Sequence, residues 1–383
     1  MNRIVMLLLI FNTAHSFANE CKTASSLENL GVSRVVECAC LTTLALKSLT
    51  IPTQEKVRDG LIGLCRNHFR SPQVSLQVHA GGINDLVINE AGIIFSVGED
   101  GYIKQIEATT CESVKTTNFY NPEHKGQALL SLAVGNRIVA TGGADHMIKL
   151  WNVDSKKLYH PKLAHAGTVD HVALLKDGAH LASAATNSIK LWDVATGKQI
   201  SDHKGHGNPA TVIASNGSVL VTSGWDGRCC VYSLEQQQPT HTKDELDSVR
   251  VVTVDKQGTK VALGNLSGLV RVWDLVTDTL EDVVQYNVPI TSLSFNDKGT
   301  QLLVNAGTKP IGLYDVQSGQ ELGAIAEHSQ FAKSAVIDSL NQRVVVATGT
   351  GAIELWQIPD YKAGTLDQVM RKATVLGALS KKE

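Results

Sequence analysis

The four residues Ile-Lys-Leu-Trp occur twice in this chain, at 148–151 and again at 189–192. Aligned on that tryptophan, the sequence places Ile106, Trp151, Trp192, Tyr232, Trp273, Tyr314 and Trp356 at steps of 45, 41, 40, 41, 41 and 42 residues. A repeat of fixed period constrains the fold more tightly than composition does. One copy is too small to bury its own apolar face, so the copies must stack and share a core with their neighbours. The segments "RVWDL" (271–275), "GLYDV" (312–316) and "IELWQI" (353–358) are rich in branched and aromatic residues, and turns such as "ATGKQ" and "QSGQE" follow these segments. That chemistry predicts short strands, and nothing inside the array reads as a long helix.

A second signature lies upstream of the aromatic position. A histidine is followed by apolar residues at +4, +7 and +9: His79 with Ile83, Leu86 and Ile88, His165 with Val169, Val172 and Leu174, and His328 with Ala332, Ala335 and Ile337. The lattice continues without its histidine at Val249, Val252 and Val254, and at Ile290, Leu293 and Phe295. On these residues the chain resembles the WD-repeat (tryptophan-aspartate) β-propeller family over roughly 74–358. The resemblance implies an all-β fold, a seven-bladed β-propeller. In that family a histidine, a serine or threonine, an aspartate and the tryptophan form a hydrogen-bonded chain within a blade. The second repeat matches through His124, Thr141, Asp145 and Trp151, and the fourth through His206, Thr222, Asp226 and Tyr232. The first has His79, Ser96 and Asp100, with Ile106 in the aromatic slot. The third and seventh repeats lack the aspartate, and Leu263 and Val304 stand where a hydroxyl would be in the fifth and sixth. The matched residues are read as structural, and the other blades as relying on packing. The family closes its ring with an N-terminal strand, and "QVSLQV" (73–78) has the alternation to pair with the seventh repeat.

The ends of the chain differ from the array. Arg3, the apolar run from Ile4 to Phe11, and Ser16 and Ala18 in small-residue spacing read as a secretory signal over 1–18, cut after Ala18. The run is too short to span a membrane stably. Residues 19–70 hold Cys21, Cys38, Cys40 and Cys65, candidate disulfide cysteines whose three pairings the sequence leaves open. This segment reads as a small α-helical hairpin that meets near "TIPTQ", preceding a propeller at 71–360. Residues 361–383 read as a helical tail with Leu366, Val369, Met370 and Ala373 on one face. Cys111, Cys229 and Cys230 are expected to be reduced or inert. "NGS" at Asn216 and "NLS" at Asn265 match the N-glycosylation pattern.

Composition narrows the function. A formal charge of −2 and a pI near 6.7, with no basic stripe, give no footprint for nucleic acid. The C-x-C pair Cys38 and Cys40 lacks the partners of a zinc site, and no C-x-x-C-H occurs for haem. The residue just before the +7 position is Asp85, Ser131, His171, Val212, Val251, Ser292 or Ser334 in successive repeats, which makes no metal cage. No serine-nucleophile elbow, phosphate loop or dinucleotide fingerprint occurs. No cofactor, metal or catalytic residue is expected. Trp225 falls outside the repeated aromatic slot, in a turn beside Asp226 and Arg228. With His146, Asp170 and His171 it forms a candidate face for protein partners. The reading is a non-enzymatic, exported protein-interaction scaffold with an unnamed protein partner. The expected compartment is the bacterial periplasm, with secretion or an endomembrane lumen as the alternative. An exported thiol-redox or hydrolytic enzyme using the N-terminal cysteines or the channel is the competing class.

Overall fold

The computed structural model describes residue 72 and residues 74–358, apart from 111–112, 120–125, 136, 160–162, 176–177, 187, 204–205, 207–209, 234–238, 245–246 and 327–330. The expected signal, helical hairpin and tail, with Cys21, Cys38, Cys40 and Cys65, lie outside the described residues, as do Cys111, His124 and His328.

The period becomes seven antiparallel four-stranded sheets. A strand β1 (Val74–Gln77) precedes blade one, which is β2 (Ile83–Ile88), β3 (Ile94–Gly98), β4 (Ile103–Thr110) and β5 (Ser113–Phe119). Blade two is β6 (Leu129–Val134), β7 (Ile138–Gly143), β8 (Met147–Asn152) and β9 (Leu163–Ala164), and blade three is β10 (His171–Leu175), β11 (His180–Ala185), β12 (Ser188–Asp193) and β13 (Gln199–His203). Blade four is β14 (Ala210–Ser215), β15 (Val219–Gly224), β16 (Cys229–Ser233) and β17 (His241–Lys243), and blade five is β18 (Val249–Val254), β19 (Lys260–Asn265), β20 (Leu269–Asp274) and β21 (Thr279–Gln285). Blade six is β22 (Ser292–Phe295), β23 (Gln301–Asn305), β24 (Ile311–Asp315) and β25 (Glu321–Ala326). Blade seven has three strands of its own, β26 (Ala332–Asp338), β27 (Arg343–Thr348) and β28 (Ala352–Gln357), and β1 is its fourth.

That fourth strand is the expected closure. Val74 pairs with Leu355 and Gln77 with Ala352, and the Gln77 amide donates to the carbonyls of His79 (2.8 Å) and Thr350 (2.7 Å). Across the closing seam Arg343 Nη1 donates to the Ala108 carbonyl at 3.0 Å while its Nε pairs with Asp338 at 2.7 Å. Both charges of that pair are buried, so each satisfies the other where water cannot.

Burial follows the layering. The second strands are buried along nearly their whole length, as in β3 and β27, because neighbouring blades cover both faces. Outer strands such as β1 and β21 alternate or face solvent. The apolar clusters sit in the seams: Ala140, Ile148 and Leu150 of blade two meet Val169, Val172 and Trp192 of blade three, and Ile353 and Leu355 of blade seven meet Ile83, Leu86 and Ile106 of blade one. A fully buried Val, Leu or Ile contributes about 1.5–3 kcal/mol, so the seams hold the ring.

An antiparallel meander also sorts its connections. In blades one to six the link from first to second strand and that from third to fourth lie at one end, and in blade seven so does the link from β26 to β27. The link from second to third, and the loop into the next blade, lie at the other. We call these the turn end and the clamp end.

Candidate functional site

The clamp end is built from the histidine networks. His79 bonds Asp100 through Nδ1 at 2.8 Å and Ser96 through Nε2 at 2.9 Å, and His206 likewise meets Asp226 at 3.0 Å and Thr222 at 3.0 Å. The carboxylate fixes the proton on Nδ1, so Nε2 accepts from the hydroxyl. In blade three, which lacks the aspartate, Trp192 donates to Ser183 at 2.8 Å and Ser183 meets His165 at 2.7 Å. Burial pushes the His165 imidazole down to about 4, so it is a neutral acceptor near neutral pH. Trp151 donates to Thr141 at 3.2 Å, and one oxygen of Asp145 pairs with the buried Lys149 at 3.1 Å. Where the hydroxyl is missing the aromatic groups find other partners. Trp273 donates to Asp278 at 2.9 Å, and Tyr314 meets Tyr286 at 2.8 Å. The polar edge of each ring is satisfied by a neighbour outside the repeated motif, from the following turn for Trp273 and from the preceding blade for Tyr314.

Around the channel mouth the inner strands share a second device. In blades one, two, four, five and seven the register slips by one residue at the start of the inner strand, at Asn84, Leu130, Thr211, Arg250 and Lys333. A bulge re-aims the extra side chain. Lys333 uses this position to reach Asn84 (2.9 Å) and Glu99 (3.0 Å) across the closing seam. Asp170 of blade three occupies the matching place, part-buried, and burial raises its carboxyl above the usual range.

One residue further along lies His171, which the sequence offered both to the partner face and to the inner-strand position before +7. It is the first residue of β10 on the inner wall, and burial pushes its imidazole down to about 4. The same wall carries Asp85, whose Oδ2 accepts from Ser131 Oγ (3.0 Å) and the Leu132 amide (2.9 Å) of the next blade. Desolvation raises the Asp85 carboxyl to about 6 despite those bonds. Ser131 in turn accepts from the Val172 amide at 3.3 Å, so one polar thread ties blades one, two and three. Every bond in it has a structural use. Among the described residues no group of three or more His, Cys, Asp or Glu is placed to hold a metal.

Cys229 and Cys230 are free, buried thiols, and burial raises both above the ordinary thiol range. Such thiols are poor nucleophiles. The two glycosylation matches are also occupied: Asn216 Nδ2 donates to the Asp255 carbonyl at 3.1 Å, and Asn265, buried, donates to Asp247 at 3.3 Å.

Both ends expose large apolar side chains, with Val276, Leu340, Ile200 and Tyr159 open at the turn end. On the clamp end Trp225 is 61% exposed and Leu266 52%, and Tyr102 and Phe331 are also open to solvent. The other four tryptophans are buried. His146 sits in the equivalent turn of blade two, exposed and in the left-handed region at φ 66°. Arg228 pairs with Asp244 at 2.6 Å beside Trp225. Leu266, Tyr102 and Phe331 were not singled out in the sequence. Leu266 had a signal, since it stands 41 residues after Trp225, one full period later.

The WD domain, G-beta repeat family matches residues 116–152, 156–193 and 197–233. Each matched stretch begins near the outer strand of one blade and ends with the third strand of the next, the same offset that leaves β1 to complete blade seven. This is a seven-bladed propeller carrying WD40 repeats. Among curated proteins this propeller is 20% identical over 310 residues to Autophagy-related protein 16 of Arabidopsis thaliana, covering 78% of this chain and 59% of that protein. It is 23% identical over 238 residues to Target of rapamycin complex subunit wat1 of Schizosaccharomyces pombe, covering 58% of this chain and 75% of that one. It is 27% identical over 259 residues to Echinoderm microtubule-associated protein-like 2 of Rattus norvegicus, covering 65% and 38%. The propeller thus spans well under two thirds of the length of several relatives that it matches. Among the described residues no helix is long and apolar enough to cross a membrane.

Proposed function

We propose that this propeller is a non-enzymatic scaffold that docks a protein partner on its clamp end, around Trp225. The observation that carries the reading is the exposure of Trp225 and Leu266 in matching turns of adjacent blades, while every repeat-slot tryptophan is buried. Large apolar side chains left open on a rigid frame are what interface anchors are made of. The named relatives support this reading: one is a subunit of a complex and another is microtubule-associated. The bonds of His79, His165 and His206 and the burial of Cys229 and Cys230 tie these groups to the fold, which supports binding over chemistry.

The test is to immobilise the wild-type protein and its Trp225→Ala variant at equal folded concentration and compare recovery of the native partner. An anchor loss of about 2 kcal/mol corresponds to roughly thirtyfold weaker binding. Undiminished recovery would contradict the reading.

The proposal extends to export. The 1–18 leader and the four cysteines of 19–70 support a mature chain that begins near Asn19 in an oxidising space, the bacterial periplasm. Mass spectrometry of the N-terminus, with a thiol count before and after reduction, tests both points. A retained Met1 would refute export, and fast-exchanging free thiols at Cys21, Cys38, Cys40 and Cys65 would favour the redox class.

A further inference from the structure

The seams of the ring are held by apolar packing and by polar ties, and many of the ties fall in two series. At the turn end the hairpins that join first to second strands overlap like shingles. Asn216 of blade four donates to the carbonyls of Asp255 (3.1 Å) and Lys256 (3.3 Å) in blade five, and Gln257 of blade five donates to that of Asp297 (2.9 Å) in blade six. The Asp297 amide in turn donates to Ser339 Oγ (3.1 Å) in blade seven. The overlap is close enough to need glycine: a Cβ on Gly258 would lie 2.9 Å from Asn216 Nδ2, and one on Gly299 would lie 2.9 Å from Asp255 Oδ2. On the inner wall the second series runs from Asp85 through Ser131 to the Val172 amide and joins blades one, two and three. Arg343 and Lys333 join blade seven to blade one.

Both series stop at the seam between blades three and four. The wall position there is His171, and among the described residues its imidazole makes no hydrogen bond onto blade four. Gly217 is the left-handed glycine of the blade-four hairpin, as Gly258 and Gly299 are of theirs, yet nothing lies within 4 Å of the place a Cβ would take. Packing does not compensate. Blade three brings Ala173, Ala182 and Ala184 to this seam beside Leu175 and Ile189, whereas the seam of blades four and five is lined by valines, Leu263 and Trp273. A methyl group buries less apolar area than a branched or aromatic side chain, so both kinds of restraint are smaller between three and four.

We infer that the ring opens locally at the seam between blades three and four, while the seam of blades four and five and the closing seam stay shut. Blade four carries Trp225 at its clamp end, so the exposed indole stands on a blade that borders this joint. The inference holds wherever partners dock.

The chain carries its own reporters. Cys229 and Cys230 are neighbours on β16, with Cys230 packed in the cluster shared with blade three and Cys229 in the cluster shared with blade five, and both are buried free thiols. A buried thiol reacts only through an opening that exposes it, so the initial labelling rates read the two seams separately. The full-length protein is exposed to N-ethylmaleimide without denaturant, quenched at intervals and cleaved, and fragment masses assign the label to one cysteine or the other. Cys230 should label roughly tenfold or more faster than Cys229, since one or two hydrogen bonds' worth of restraint separates the seams. Hydrogen exchange of the β1 amides, expressed as an open fraction, should show the closing strand opening more rarely than the Cys230 seam. Asn216→Asp keeps an acceptor for the Ser218 and Val219 amides and removes the donor to blade five, so it should speed Cys229 severalfold and leave Cys230 unchanged.

Equal rates, or a faster Cys229, overturn the inference. Labelling of both thiols with the rate and urea dependence of global unfolding does so too, because no seam would then open by itself. A closing strand that opens more often than the Cys230 seam would place the soft joint at the closure and refute the assignment. Acceleration of both thiols alike in Asn216→Asp would show that the hairpin ties do not act seam by seam, which also refutes it.

Discussion

The two ends of the propeller solve the same problem, how to reverse a strand, with different chemistry. At the turn end the reversals are closed by their own first residue. Asn152, Asp193, Asp255, Asp315 and Asp338 accept from amides three or four positions on, at Ser155 (2.8 Å), Thr196 (2.7 Å), Thr259 (2.7 Å), Ser318 (2.8 Å) and Asn341 (3.1 Å). Their polar groups are consumed locally. At the clamp end the turns of blades one and four are tied in addition to buried histidines, His79 to Asp100 and His206 to Asp226, while the blade-five turn is closed locally by Asn265. The blade-four turn thus holds its backbone from beneath while Trp225 at its tip stays open. Rigid support beneath an exposed side chain is what low-cost binding needs, because little ordering entropy is left to lose.

The comparison can be broken first at a clamp. Trp192→Ala removes a buried indole from the seam of blades two and three together with its bond to Ser183, and should cost about 3–5 kcal/mol in denaturant titration. Val276→Ala in a turn-end loop, where the side chain is exposed, should fall within about 0.5 kcal/mol of wild type. Similar losses for both would remove the distinction.

Asp85, on the wall between the ends, sharpens it through pH. Its folded carboxyl lies near 6 against an ordinary 3.8, so the folded state holds the proton more tightly. Its contribution is therefore fully present below about pH 4 and lost as pH rises through 6, by up to ~3 kcal/mol. Asp85→Asn should flatten that part of the stability profile between pH 4 and 7, and an unchanged slope would show that the wall is wetter than its geometry implies.

The smallest effect belongs to the turn end. Bonds from the Ser318 hydroxyl and amide hold the Asp315 carboxyl below its ordinary range, so its contribution is present above about pH 4 and lost as pH falls through the folded value. Asp315→Ala should shift the melting midpoint slightly at pH 7 and not at all at pH 2. A shift that persists in acid would mean that packing, rather than the carboxylate, matters there.

The same contrast explains what the residues disclosed in advance. The period follows from spacing, and the closing strand and the histidine network of blade four from the resemblance to WD-repeat propellers that the spacing carries. The rewired partners were hidden: Trp273 turns to Asp278, and Trp356 to Glu354 at 3.1 Å, through neighbours outside the repeated motif. His171 had been offered both to the partner face and to the inner-strand position before +7, and as the first residue of β10 it stands in the second. Leu266 was legible by its period from Trp225, one repeat later in the matching turn.

The central claim is that partners dock on the clamp end and leave the turn end free. Hydrogen–deuterium exchange of the full chain, with and without its native partner, reads both ends at once. The account predicts slowed exchange at 225–228, 247–248 and 266–268 on complex formation, with 274–278 and 339–342 unchanged. Protection confined to 274–278 and 339–342 would contradict it.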